Sequence, residues 1–169
     1  PRAAAAAALV LGAAIVVEGY GGPMRMVPFR HDQRARAQLN AWIRSGPPGG
    51  VVELPIVGPA AEPFTLAYQY NTLLHGHPIV NGYSGYVPAS YELMRKETEP
   101  FPELEAISKL ERMGVSHLII HLDQYSTVER RDWRHWHKRL ALRPDAPVRL
   151  VHEEGWAMIY RILTQTEKL

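Results

Sequence analysis

Residues 3–17 read AAAAAALVLGAAIVV, a run with no charged side chain. A helix rises about 1.5 Å per residue, so this run covers roughly 22 Å. A hydrocarbon core is about 30 Å thick. Adding Glu18, Gly19 and Tyr20 extends the reach and brings in a charge. Leucine and valine favour insertion by only a few tenths of a kcal/mol each, so the run sits at the short end for a lone span. Three readings follow. The run is the end of the last transmembrane helix of a polytopic protein, the h-region of a signal peptide behind Arg2, or an alanine-rich helix of a soluble protein. The first two place residues 21 onward outside the cytoplasm when Arg2 marks the inner side. The chain opens Pro1-Arg2 without methionine, as expected of a piece of something longer. The expected division is 1–20, the end of a transmembrane helix, and 21–169, an extracytoplasmic domain.

The chain as a whole has the composition of a folded protein. Apolar residues make up 46% of the chain and charged residues 21%, which argues against wholesale disorder. Nineteen Lys and Arg against 17 Asp and Glu leave a net charge of +2, too small a basic excess for a dedicated nucleic-acid binder. The absence of cysteine excludes a disulfide scaffold, thiolate metal sites and a cysteine nucleophile.

The Gly- and Pro-rich stretch 19–30 reads as a connector. Beyond it, Ala35, Leu39, Trp42 and Ile43 fall at helical spacing, with Arg34, Arg36 and Asn40 off that apolar stripe. Ser45 to Gly50 ends the helix. Val51 to Ile56 reads as a strand ending, or lying at an edge, at Pro55. A helix is expected over 63–75, stopped by Gly76, then a short extended piece at 78–81 and a loop at 82–86. A short helix follows from Ser90, and a clearer one starts at Pro102, with Gly114 as its left-handed terminating residue. Val115 to His121 (VSHLIIH) is apolar on both faces at its centre, as in a strand buried within an α/β sheet. Ser126 and Glu129 fit a capping box for a helix to Leu142. Glu153-Glu154-Gly155 reads as the turn of a final hairpin. Helix and strand alternate, so the chain is α/β. It carries a mixed, partly parallel sheet of about four or five strands, with flanking helices and a C-terminal hairpin, behind the apolar helix.

The densest polar-aromatic segment runs from Tyr68 to Tyr91. Here His75, His77, Asn81, Tyr83, Ser84 and Tyr86 form a flat, hydrogen-bonding loop suited to a sugar, a lipid head group or a neighbouring protein segment. The alternative is a rigid loop whose side chains satisfy one another. His75 and His77 are better read as hydrogen-bonded histidines than as metal ligands, because they straddle a helix end and no HExxH accompanies them. His121 and Asp123 follow the central strand, where ligand-binding groups of open α/β sheets gather. Glu53 lies inside a strand. Either it faces solvent along an edge, or it is buried and paired with Arg, His or Tyr. In ERRDWRHWHKRL (129–140), Trp133, Trp136 and Leu140 form one stripe that packs on the sheet while Arg and Lys face water. Membrane head groups are an alternative partner for that helix, and nucleic acid a weaker one. No GxSxG, P-loop or GxGxxG is present, and no pair of carboxylates stands out. The residues call for no cofactor.

One group of proteins shares this set of motifs. Val51-Val52-Glu53-Leu54-Pro55, His77-Pro78-Ile79-Val80-Asn81-Gly82-Tyr83-Ser84-Gly85-Tyr86 with Pro88, and Met113 to His121 together resemble the C-terminal extracytoplasmic domain of bacterial polytopic GT-C-type membrane glycosyltransferases, the relatives of protein mannosyltransferases and oligosaccharyltransferases. The resemblance covers about residues 3–162, and PIVNGYSGY is its most specific part. It implies a parent protein that uses a polyprenyl-phosphate-linked sugar, with its key acidic residues in an early loop outside this chain. No catalytic residue carries over. The domain's implied role is structural support or substrate positioning. Its implied partners are the transmembrane part of the same protein, the lipid-linked sugar and lipid head groups, with no nucleic acid. It would be membrane-anchored on the periplasmic or extracellular side. Two other classes stand beside this reading: a secreted or membrane-surface binding module with a signal peptide, and a small soluble α/β enzyme with a site at His121 and Asp123.

Overall fold

A computed structural model describes residues 2–21, 33–58, 62–82, 87–99, 102–164 and 167. The chain divides into two compact units, Pro1–His31 and Asp32–Leu169.

In the first unit, helix α1 spans Arg2–Gly19, and none of its residues is buried. Its 18 residues meet the length and composition of a membrane-crossing helix, with a rise of about 27 Å.

The second unit is α/β. Its elements are α2 (Gln33–Arg44), β1 (Gly50–Leu54), α3 (Glu62–His75), α4 (Ala89–Thr98), α5 (Leu104–Arg112), β2 (Val115–His121), a 3-10 turn at Leu122–Gln124, α6 (Thr127–Ala141), β3 (Val148–Glu154) and β4 (Ala157–Ile162). The sheet order is β1-β2-β4-β3. β1 runs parallel to β2, while β4 is antiparallel to both β2 and β3. The expected extended piece at 78–81 contributes a single parallel bridge, Ile79 to Val51, rather than a fifth strand. The hairpin turn falls one step later than the sequence suggests. β3 continues through Glu154, which puts Trp156 in the turn.

Strand side chains alternate between two faces. On one face Val52, Leu54, Leu118, Ile120, Met158 and Tyr160 pack with Ile107 and Leu110 of α5 and with Trp133, Trp136 and Leu140 of α6. The stripe read from the α6 sequence is this buried stripe. Ser126 caps α6 in a reciprocal capping box with Glu129, and Gly114 takes φ +80° after α5. The other face carries Val51, Ile119, Ala157 and Ile159 against Leu39 and Ile43 of α2. Here the sequence reading needs a correction. Arg36 and Asn40, expected off the packing face, are 8% and 1% exposed. A second polar layer lies beneath α2 and α3, and it changes what this side of the sheet can do.

Candidate functional site

The layer starts with Glu53. On β1 it shares a face with Val51, and on the parallel neighbour β2 the residues on that face are His117, Ile119 and His121. Glu53 and His121 are both fully buried. The Glu53 Oε2 to His121 Nε2 distance is 2.6 Å. Of the two readings of Glu53, the buried, paired carboxylate is therefore the one realised. An unpaired charge at full burial is strongly disfavoured, and the imidazole supplies the partner.

Aromatic rings enclose the pair. Tyr68 of α3 stacks on His121 with centroids 4.9 Å apart and planes 13° apart. Trp156 from the hairpin turn lies near-parallel to the same imidazole at 6.1 Å, and the Arg36 guanidinium sits 5.2 Å from the Trp156 ring. The Tyr68 hydroxyl donates to Gln124 Oε1 at 2.6 Å. Burial and the Glu53 carboxylate push the Tyr68 phenol well above its usual range, so at neutral pH it remains a donor.

Asn81 fixes this cluster to the loop. Its side-chain Nδ2 donates to the Glu53 carbonyl at 2.7 Å, and its Oδ1 accepts from the Glu53 N–H at 3.0 Å. The amide thereby serves as the strand neighbour that β1 lacks on its outer side. The backbone of 78–80 continues the pairing: Val51 N–H donates to Pro78 O and Val80 N–H to Val51 O.

A second cluster lies further toward the start of β2. His77 Nδ1 is 3.0 Å from the Gly49 carbonyl, and His77 N–H donates to His75 Nδ1 at 3.0 Å. The His77 ring is 5.8 Å from those of His75 and His117. Burial, then the neighbouring imidazoles, hold His75 down to about 4. Burial, then His77 and Arg161, hold His117 to about 4. Both are neutral at physiological pH. Among the described residues, no three side chains are arranged to hold a metal ion.

The residues singled out from sequence thus separate. Asn81 and His121 belong to one connected cluster through Glu53. Asp123 is half-exposed and lies 3.7 Å from Arg36 at the margin of that cluster. His75 and His77 belong to the other group. Tyr83, Ser84 and Tyr86 lie outside the described residues. Sequence reading does not single out Arg36, Asn40, Gln124 and His117, whereas Tyr68 and Asn71 lie in the polar-aromatic segment, where Asn71 Oδ1 accepts from Asn40 Nδ2 at 3.5 Å. A signal was available. Tyr68, Asn71 and His75 recur at i, i+3 and i+7 on α3, Arg36 and Asn40 at i and i+4 on α2, and His117 and His121 share a face of β2.

A cleft of about 670 Å³ opens beyond the carboxyl ends of β1 and β2, lined by Pro55, Gln124, Tyr125 and the first turns of α6. Gln124 is the physical link between this cleft and Tyr68. The buried Glu53–His121 pair itself is a holding arrangement. Both of its side chains are fully buried, and it ties β1 to β2, while Asn81 ties β1 to the 78–81 segment.

No family model and no curated protein matches this chain. Among solved structures, the chain is similar to the C-terminal globular domain of an oligosaccharyltransferase from Archaeoglobus fulgidus, at 10% identity and a TM-score of 0.48, covering 83% of this chain and 100% of that one.

Proposed function

We propose that this chain is the membrane-anchored, extracytoplasmic domain of a GT-C-like glycosyltransferase, a protein that transfers sugar from a polyprenyl-phosphate carrier. In this reading the domain supports the 75–86 loop and positions it for substrate. The carrying observation is α1, an 18-residue apolar helix with no buried residue. A helix apolar on all sides is stable only where apolar surroundings cover it. The PIVNGYSGY motif supplies the glycosyltransferase part of the reading. The Asn81–Glu53–His121 connection supports the positioning part, since it anchors the stem of that loop to the centre of the sheet.

Fractionation of cells producing the protein in its natural length tests the anchor. The expected result is a membrane fraction that resists alkaline carbonate, with α1 retained. Release by carbonate, or a mature N-terminus beyond α1, would sink the anchor and favour the signal-peptide reading. The positioning role is tested by Asn81→Ala in the same protein at matched abundance. Sugar transfer should fall, and unchanged transfer removes the role.

A further inference from the structure

Both tryptophans of α6 are consumed by the core, which leaves its outward face to be explained on other terms. That face carries Arg131, Arg134, His135, Lys138 and Arg139, all exposed. Over Thr127–Ala141, five Arg and Lys stand against two carboxylates. Glu129 is spent in the capping box, and Asp132 is 3.9 Å from Arg131. Arg134, Lys138 and Arg139 have no ion-pair partner among the described residues. The whole chain is nearly neutral at +2, so this is a local concentration of charge rather than a general one. Val128 and Leu142, at the two ends of the face, are 58% and 84% exposed.

We infer that the outward face of α6 is a docking surface for an anionic lipid bilayer, with Arg134, Lys138 and Arg139 meeting the head groups. The occupant is argued from charge complementarity and from the rest of the chain. A cationic helical face flanked by exposed aliphatic residues matches a surface that is charged outside and apolar just beneath. The inference rests on the membrane reading of α1 in one respect: a tethered domain meets that surface at high effective concentration. Insertion of α1 supplies the anchor, and the basic face of α6 adds an electrostatic increment that depends on anionic lipid.

The test measures partitioning of the full chain into phosphatidylcholine vesicles and into vesicles containing about a third phosphatidylglycerol, at low and high salt. Wild type should bind the anionic vesicles more tightly by roughly a hundredfold at low salt, with the increment lost at high salt. The R134Q/K138Q/R139Q variant should lose most of that increment. A control with the same loss of charge elsewhere, K96Q/R112Q/R149Q, should keep it. Equal partitioning of the two variants, or no dependence on the anionic lipid, overturns the proposal. So does capture by duplex DNA, at the same salt, tighter than binding to the anionic vesicles, because it would assign the face to a different polyanion. Failure of α1 as an anchor shows separately, as loss of binding to the neutral vesicles. The lipid-dependent increment still decides the role of α6.

Discussion

His121 and Glu53 meet through a 2.6 Å contact between fully buried side chains, 68 residues apart in sequence. Parallel pairing of β1 with β2 makes the contact possible. Leu54 stands beside Ile120, which brings Glu53 and His121 within reach on the same face. Removing one partner leaves the other buried and unsatisfied. Glu53→Ala should therefore destabilise the second unit by about 2–4 kcal/mol, whereas Glu53→Gln, which retains a hydrogen-bonding oxygen, should cost clearly less. Urea unfolding followed by tryptophan fluorescence measures both. Equal losses for the two variants would mean that packing volume, not the polar pair, sets the effect.

Asn81→Ala deletes two hydrogen bonds and strands the N–H and C=O of Glu53 in the interior. The expected loss is about 2–3 kcal/mol. It should come with faster amide exchange at Glu53 and Val51. Exchange at wild-type rates in a destabilised variant would place the damage elsewhere.

His75 and His117 titrate near 4 in the folded chain, against an ordinary value of 6.5. Below 6.5 the unfolded chain takes up protons that the folded one refuses. Stability is thus fully present above pH 6.5 and falls as pH drops from there to about 4. Replacing His117 with Asn should flatten this slope between pH 6.5 and 4 and leave the pH dependence above pH 7 unchanged. Denaturation midpoints across that range provide the check, and an unchanged slope would rule His117 out as a source of it.

Gly49 adopts φ +149°, and a Cβ there would fall 2.6 Å from Ser116 Cβ and 2.9 Å from the Gly114 carbonyl. Gly49→Ala must displace the entry to β1, at a cost of about 1–3 kcal/mol. Gly12→Ala in α1 meets nothing within 4 Å and should leave the unfolding midpoint of the second unit where it was.

Much of this architecture was readable from residue order. β2 has the bounds its apolar centre suggested, and α6 starts at the capping box. The Trp133–Trp136–Leu140 stripe is the buried one, because periodicity reports burial directly when the buried residues are apolar. The same rule failed for Arg36 and Asn40. A polar residue at helical spacing is indistinguishable from a solvated one until its partner is known, and the partners lie on the 3-10 turn after β2, on α3 and in the hairpin turn. Glu53 stayed between two readings for that reason: the imidazole it needs is 68 positions away. The 78–81 piece reads as a strand because of Ile79 and Val80. Its pairing stops at one bridge, since the next contact passes from backbone to the Asn81 side chain.

That handover has a consequence for how the molecule meets other copies of itself. A parallel strand at the margin of a sheet exposes a row of unpaired N–H and C=O groups, and any extended chain can add to it. On β1, Pro78 O and Val80 N–H occupy the Val51 positions, and the Asn81 amide occupies both Glu53 positions. One carboxamide therefore closes the seam against self-association. Its loss would expose a sticky margin as well as a weaker fold.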